Sequence, residues 1–194
     1  MSMFSPKVDA EHAYTPDDGL LSERPADLPY AIFAGGCFWC IESEFRRLDG
    51  VKYTISGYTG GSEDTATYDQ ISTGKTKHAE ATQIYFDPNE VSYEKLVRYF
   101  LTIAHDPTQL NGQGVDLGPQ YRSALFYVDD AQKKIAEQVI DEITEQGYWK
   151  KPIVTEILPE QDFYAAEEYH QQYYEKYEEK TGRPHIRVLY KLQK

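Results

Sequence analysis

Residues 30–48, YAIFAGGCFWCIESEFRRL, change hydrophobic period across two glycines, and no other stretch restricts the fold as much. The run YAIFAG (30–35) is short, apolar and β-favouring, so it reads as a strand. Gly35 and Gly36 allow a tight turn. From Cys37 onward, Phe38, Ile41, Phe45 and Leu48 recur at helical spacing until Asp49 and Gly50 stop the run.

The same alternation of periods continues down the chain. Strands are predicted at 51–58, 79–87, 123–129 and 151–158. A helix over 88–104 packs Leu96, Val97 and Phe100; another over 130–146 buries Ile135, Val139 and Ile143, with Gly147 as its C-cap. A last helix is predicted after Pro159, over 160–180, before the basic tail TGRPHIRVLYKLQK. The order β-α-β-β-α-β, then α-β-α, predicts an α+β two-layer sandwich. Its helices flank a mostly antiparallel or mixed sheet with a ferredoxin-like core. The 194 residues, 40% of them hydrophobic, suffice for one core. Residues 30–194 therefore read as a single catalytic domain and 1–29, without periodicity, as an extended arm.

Two polar segments, 59–78 and 105–122, show no clear element. Loops of this length in a compact domain are usually functional or disordered. Both contain residues that disordered segments seldom need, among them Tyr68, His78, Asp116 and Tyr121, so function is the expectation.

Charge narrows the class of partner. A formal net charge of −12 repels a phosphate backbone or an anionic membrane over most of the surface, so neither nucleic acid nor membrane is expected. No run approaches the roughly 20 apolar residues that cross a bilayer. The first residues lack a basic start and apolar stretch, which makes the cytoplasm the expected location; a monomer is the expected state.

Cys37 and Cys40 are the only cysteines. In a reducing compartment two thiols are no disulfide scaffold. Positions i and i+3 of a helix share a face about 5 Å apart, within the range a disulfide tolerates. Cys37 falls at the first turn, where unpaired N–H groups and the positive dipole end favour a thiolate; Cys40 lies further in. The pair can act as attacker and resolver. Spacing alone leaves open two inert core residues, or a zinc clip completed by His78, His105 or His170. It also leaves open a general dithiol–disulfide oxidoreductase of the thioredoxin type, or a module that merely binds.

The motifs GGCFWC, SGYTGG, TYDQISTGKTKHAEA, YFDPNEVSYEKLVRYF, HDPTQLNGQG, GPQYRSA and AEEYHQQY resemble, together, those of the A-type peptide methionine sulfoxide reductases. The similarity spans roughly residues 30–177. It implies reduction of the S-epimer of methionine sulfoxide, free or in oxidised polypeptides, without cofactor or metal. Cys37 then matches the nucleophile, Glu80 the catalytic glutamate, and Tyr68 and Tyr121 the sulfoxide-binding tyrosines. Phe38 and Trp39 match the walls around the substrate methyl, Asp116 the aspartate before the second tyrosine, and His170 a polar residue near the pocket. The implied cycle leaves Cys37 as a sulfenic acid, which Cys40 converts to a disulfide for a thioredoxin-like reductant. Two departures stand out. Many members carry glycine where this chain has Cys40 and keep resolving cysteines in a C-terminal tail, whereas the tail here has no thiol. Val115 occupies the position of the family's asparagine.

A sulfoxide is poorly electrophilic at sulfur until its oxygen gains a proton or strong hydrogen bonds. The site must therefore combine thiolate, acid and donors. Glu80 can serve as the acid if an apolar enclosure disfavours its charge, although strand alternation alone leaves it even between inside and out.

Overall fold

The computed structural model describes residues 24–185. Most of the expected arm (1–23) and the end of the tail (186–194) lie outside the described residues. The strands are β1 (Tyr30–Gly35), β2 (Val51–Thr59), β3 (Ala79–Phe86), β4 (Gly112–Gln113), β5 (Asp116–Leu117), β6 (Ser123–Tyr127), β7 (Glu156–Pro159) and β8 (Phe163–Ala165). The helices are α1 (Phe38–Phe45), α2 (Tyr68–Ile71), α3 (Tyr93–Tyr99), α4 (Asp130–Glu145) and α5 (Tyr173–Thr181).

One sheet runs β7-β6-β1-β3-β2-β8, antiparallel except for the parallel β6–β7 pair; β4 and β5 form a separate hairpin. Within it, β6-β1-β3-β2 with α1 and α3 is the expected ferredoxin-like core. Alternation divides the sheet into two faces. Phe33, Ile84, Phe86 and Leu125 face the helices, where Ile41 and Phe45 of α1, Leu96 and Val97 of α3, and Val139 and Ile143 of α4 close the core. Burying each such side chain contributes about 2 kcal/mol. Ile32, Ala34, Ala81, Ala124 and Phe126 form a second cluster from the other side of the sheet. Every residue of β3 is buried, and Glu80 shares the helix-facing side with Ile84 and Phe86.

Boundaries depart from expectation where tertiary pairing outweighs local pattern. Helix α1 ends at Phe45, a turn before Leu48. The helix expected over 88–104 starts only after the Ser92 N-cap and becomes a π-turn from Phe100 to Ala104. The strand expected over 151–158 is confined to β7, because Val154 N–H bonds Pro107 C=O at 2.8 Å before β6 becomes its partner. The largest departure is the helix expected over 160–180. Residues 163–165 instead form β8 against β2, Glu168–His170 make one tight turn, and only α5 is helical. Gly57 makes room for β8: a Cβ there would stand 2.4 Å from Tyr164 C=O and 2.5 Å from the Phe163 ring. Pairing with an open sheet edge overrides the helix-favouring composition of these residues.

Candidate active site

The second glycine of the opening motif decides what reaches the thiols. Gly36 has φ of +93°, and a Cβ on it would lie 2.6 Å from the Gln113 side chain. Only glycine both makes this turn and lets the hairpin of β4 and β5 press against the start of α1.

Cys37 is the N-cap of α1, one place before the first helical turn, and its C=O accepts from the N–H groups of Cys40 (3.0 Å) and Ile41 (3.3 Å). The half-buried thiol thus stands at the end of the helix that favours an anion. The next N–H, of Phe38, donates to Glu80 Oε2 at 3.1 Å. Glu80 is 2% exposed.

Phe38 is buried against Tyr58 and His170, with ring centroids 5.7 and 5.1 Å away. Trp39 is half-buried and stacks on Tyr173 at 3.7 Å, while its indole N–H donates to His170 Nδ1 at 3.0 Å. Burial lowers the His170 pKa to about 3, so the ring is neutral, with its proton on Nε2. That nitrogen lies 3.8 Å from Glu167 Oε2, too far for a hydrogen bond. His170 orients Trp39.

Each irregular segment brings one tyrosine. Tyr68 opens α2, its N–H donating to Glu167 Oε1 at 3.0 Å; the same carboxylate accepts from Tyr58 OH at 2.8 Å. Tyr121 closes the tight turn Pro119–Tyr121. Burial first, then the charges of Glu80, Cys37 and Asp116, push the Tyr68 hydroxyl up to about 12. Burial and then Glu80 raise Tyr121 further, with Tyr68, Cys37 and Asp116 adding to the effect. Both hydroxyls therefore hold their protons and can donate. Cys37, Glu80 and Asp116 each lie close enough to both tyrosines to act on them electrostatically. Arg122 ties the two segments together, donating to the carbonyls of Lys77 (3.1 Å), His78 (3.3 Å) and Pro119 (3.0 Å).

Cys40 meets a residue from the far end of the chain. Its Sγ lies 3.0 Å from the hydroxyl of Tyr174 on α5. His78 and His105 are occupied separately: His78 Nε2 meets Ser62 C=O at 3.0 Å, and His105 lies 2.7 Å from both Phe100 C=O and Ser123 Oγ. Among the described residues no three His, Cys, Asp or Glu side chains form a metal-binding group. A cavity of about 360 Å³ lies elsewhere, lined by Arg24, Gln83, Glu160 and Phe163 among others, and contains neither thiol.

Sequence reasoning missed Glu42, Glu167, Gln171, Tyr173 and Tyr174. All but Glu42 belong to or adjoin AEEYHQQY, where a predicted continuous helix would have aimed them differently.

Residues 29–194 match the family model described as peptide methionine sulfoxide reductase. Peptide methionine sulfoxide reductase MsrA of Pasteurella multocida is 50% identical over 143 residues, 74% of this chain and 80% of that protein. MsrA of Methanosarcina mazei is 48% identical over 173 residues, 88% of this chain and 82% of that protein. Mxr1 of Saccharomyces cerevisiae in its reduced form superposes with a TM-score of 0.73 at 34% identity, covering 84% of this chain and 90% of that one. Mxr1 in complex with Trx2 gives 0.54 at 30% identity, covering 77% and 87%.

Proposed function

Because the chain belongs to the peptide methionine sulfoxide reductase family and reduces methionine S-sulfoxide to methionine through a cysteine pair, we propose that Cys37 is the attacking thiol, Glu80 the proton donor and Cys40 the resolving thiol. One observation carries this reading: consecutive residues hold the two reacting groups, Cys37 by its own side chain and Glu80 through the N–H of Phe38.

The Cys37 thiolate, at the anion-favouring end of α1, attacks the sulfoxide sulfur. Glu80, withheld from water, delivers a proton to the sulfoxide oxygen. Tyr68 and Tyr121 donate hydrogen bonds to the same oxygen, strongest as charge builds there. Asp116 steadies the Tyr121 side of the site, and Phe38 and Trp39 enclose the substrate methyl, with Trp39 held by His170. Methionine leaves, and Cys37 becomes a sulfenic acid. Cys40 then forms the disulfide with release of water. A thioredoxin-like protein reduces it by exchange, a partnership supported by the complex of the similar yeast protein with Trx2. A general dithiol oxidoreductase would have no use for a buried carboxyl and two hydroxyls beside its thiol.

Substrates are oxidised polypeptides or free methionine sulfoxide. The functional unit is a monomer whose catalytic domain spans 30–194, in the reducing cytoplasm. No helix among the described residues is long and apolar enough to cross a membrane.

The test is turnover of each purified sulfoxide epimer with thioredoxin, alongside Cys37→Ser and Cys40→Ser. S-selective turnover lost in Cys37→Ser is the expected outcome. After one turnover without reductant, intact mass should fall by about two units in the unaltered protein and not in Cys40→Ser. An undiminished rate in Cys37→Ser would overturn the assignment.

A further inference from the structure

The resolving thiol is already engaged, by a residue from the far end of the chain. Tyr174 is 5% exposed, its hydroxyl 3.0 Å from Cys40 Sγ and its ring stacked on His185 at 4.5 Å. Four independent contacts dictate that placement. Buried Glu42, two residues beyond Cys40, accepts from Gln172 N–H at 2.7 Å. The Gln171 side chain bonds Ser56 N–H (2.9 Å), Ser56 C=O (2.8 Å) and Ala166 C=O (2.9 Å), continuing the β2 edge where β8 ends. Arg46 of the cap of α1 pairs with Glu175 at 3.0 Å. Trp39 stacks on Tyr173. Between these anchors Gln172 adopts a left-handed backbone, φ +51°, which a residue with a Cβ rarely holds unless its surroundings impose it. The chain accepts local strain at the point that turns Tyr174 onto the sulfur.

We infer that the Tyr174 hydroxyl serves the second half of the reaction, donating a hydrogen bond that stabilises Cys40 as the thiolate which attacks the Cys37 sulfenic acid. This rests on the proposed role of Cys40. The step balances as follows. The Cys40 thiolate supplies the electron pair of the new S–S bond. The Cys37 S–O bond breaks, and the departing hydroxide takes up the proton that Cys40 released and becomes water. Cys40 sulfur is oxidised and Cys37 sulfur is reduced by the same pair of electrons. While Cys37 is reduced, the same contact keeps the Cys40 sulfur turned toward α5.

The test is the pH dependence of disulfide formation in single turnovers of Tyr174→Phe, followed by intact mass, with methionine release measured in parallel. Losing one donor to a thiolate raises its protonation midpoint by about one pH unit, leaving about tenfold less thiolate at low pH. The remaining thiolate is more nucleophilic by about threefold, from the Brønsted slope of thiol exchange. Disulfide formation should therefore slow about threefold below the midpoint and quicken about threefold above it, so the two pH profiles cross. Methionine release in the first turnover should keep its rate. A Phe variant that merely loosened α5 would be shifted the same way at every pH, and parallel profiles overturn the inference. If the unaltered protein forms no Cys37–Cys40 disulfide, it is the role of Cys40 that fails instead. Replacing Tyr174 with 3-fluorotyrosine, a stronger donor that preserves ring and fold, should displace the profile the opposite way; an unmoved profile there overturns the inference even if the Phe variant misfolds.

Discussion

Phe38 donates its backbone N–H to the Glu80 carboxyl at 3.1 Å, so the acid is fastened to the residue that follows the nucleophile. The distance between them is then set by the geometry of a helix start and does not depend on a flexible loop. Glu80→Gln preserves the shape and an acceptor for the amide but has no proton to give. It should lower kcat by about 10²- to 10⁴-fold with a small change in KM, the loss expected for a general acid. Thermal stability should stay within about 1 kcal/mol, because the hydrogen bond persists. Steady-state kinetics and single-turnover methionine release with the S-epimer measure the first quantity and denaturant unfolding the second; a methionine-release rate within threefold of the unaltered protein would rule out proton donation by Glu80.

Tyr68 and Tyr121 come from separate segments, and their raised pKa values keep both protonated throughout the neutral range. Removing one donor to a developing oxyanion typically costs about 10²- to 10³-fold in kcat. Tyr68→Phe and Tyr121→Phe should each fall at or somewhat below that range, since the partner hydroxyl remains, and the double variant should lose more than either. Their ionisation should also not limit activity as pH rises toward 10. The difference in tyrosinate absorbance between the unaltered protein and each Phe variant during alkaline titration would reveal the contrary if either hydroxyl titrated near the ordinary value.

The fold was legible from period changes because the strands of the core each carry their own apolar signal; YAIFAG and SALFYVD need no partner to be recognised. Residues 160–180 misled for the opposite reason. Phe163 to Ala165 have no strand signature, and it takes Gly57, more than a hundred residues earlier, to admit them to the sheet edge. The site divides the same way. Cys37 and Cys40 are marked by spacing, and Glu80 is carried by the resemblance, with alternation only narrowing it to two faces. Tyr174 has no local mark, since its role comes from a reversal at Gln172 that depends on Glu42, 130 residues away.

Glu42 and His170 give stability opposing dependences on pH. Burial raises Glu42 to about 7, against a lowering by its bonds to Gln172 and Thr54. The folded state holds that proton between about 4.5 and 7 while the unfolded chain does not, so stability declines as pH rises through this window. Burial lowers His170 to about 3, so below about 6.5 the unfolded chain binds the extra proton and stability declines as pH falls. At full extent the effect is worth about 3 kcal/mol for Glu42 and about 5 kcal/mol for His170. The two nearly cancel between pH 5 and 6. In Glu42→Gln the falling limb disappears: the variant should gain about 2 kcal/mol over the unaltered protein at pH 8 relative to pH 5. Urea unfolding at several pH values measures this, and a pH-independent difference between the two proteins would show that Glu42 is ionised throughout.

Closing the Cys37–Cys40 disulfide should move Trp39. The two residues bracket the first turn of α1, where Cys40 N–H bonds Cys37 C=O at 3.0 Å. An i, i+3 spacing falls within disulfide range, but the helical torsions must relax for the sulfurs to meet. Trp39 lies inside the bracketed segment, stacked 3.7 Å from Tyr173, so even a small rotation of the turn weakens that stacking. Trp149 donates to Leu101 C=O at 2.9 Å, on the helix layer behind the core, and should be indifferent to redox state. Intrinsic fluorescence should therefore differ between reduced and oxidised protein, the difference surviving in Trp149→Phe and vanishing in Trp39→Phe. A redox signal absent from Trp149→Phe, where Trp39 alone emits, would mean that the turn closes without disturbing the methyl-enclosing wall, and that the pocket stays intact while the disulfide awaits its reductant.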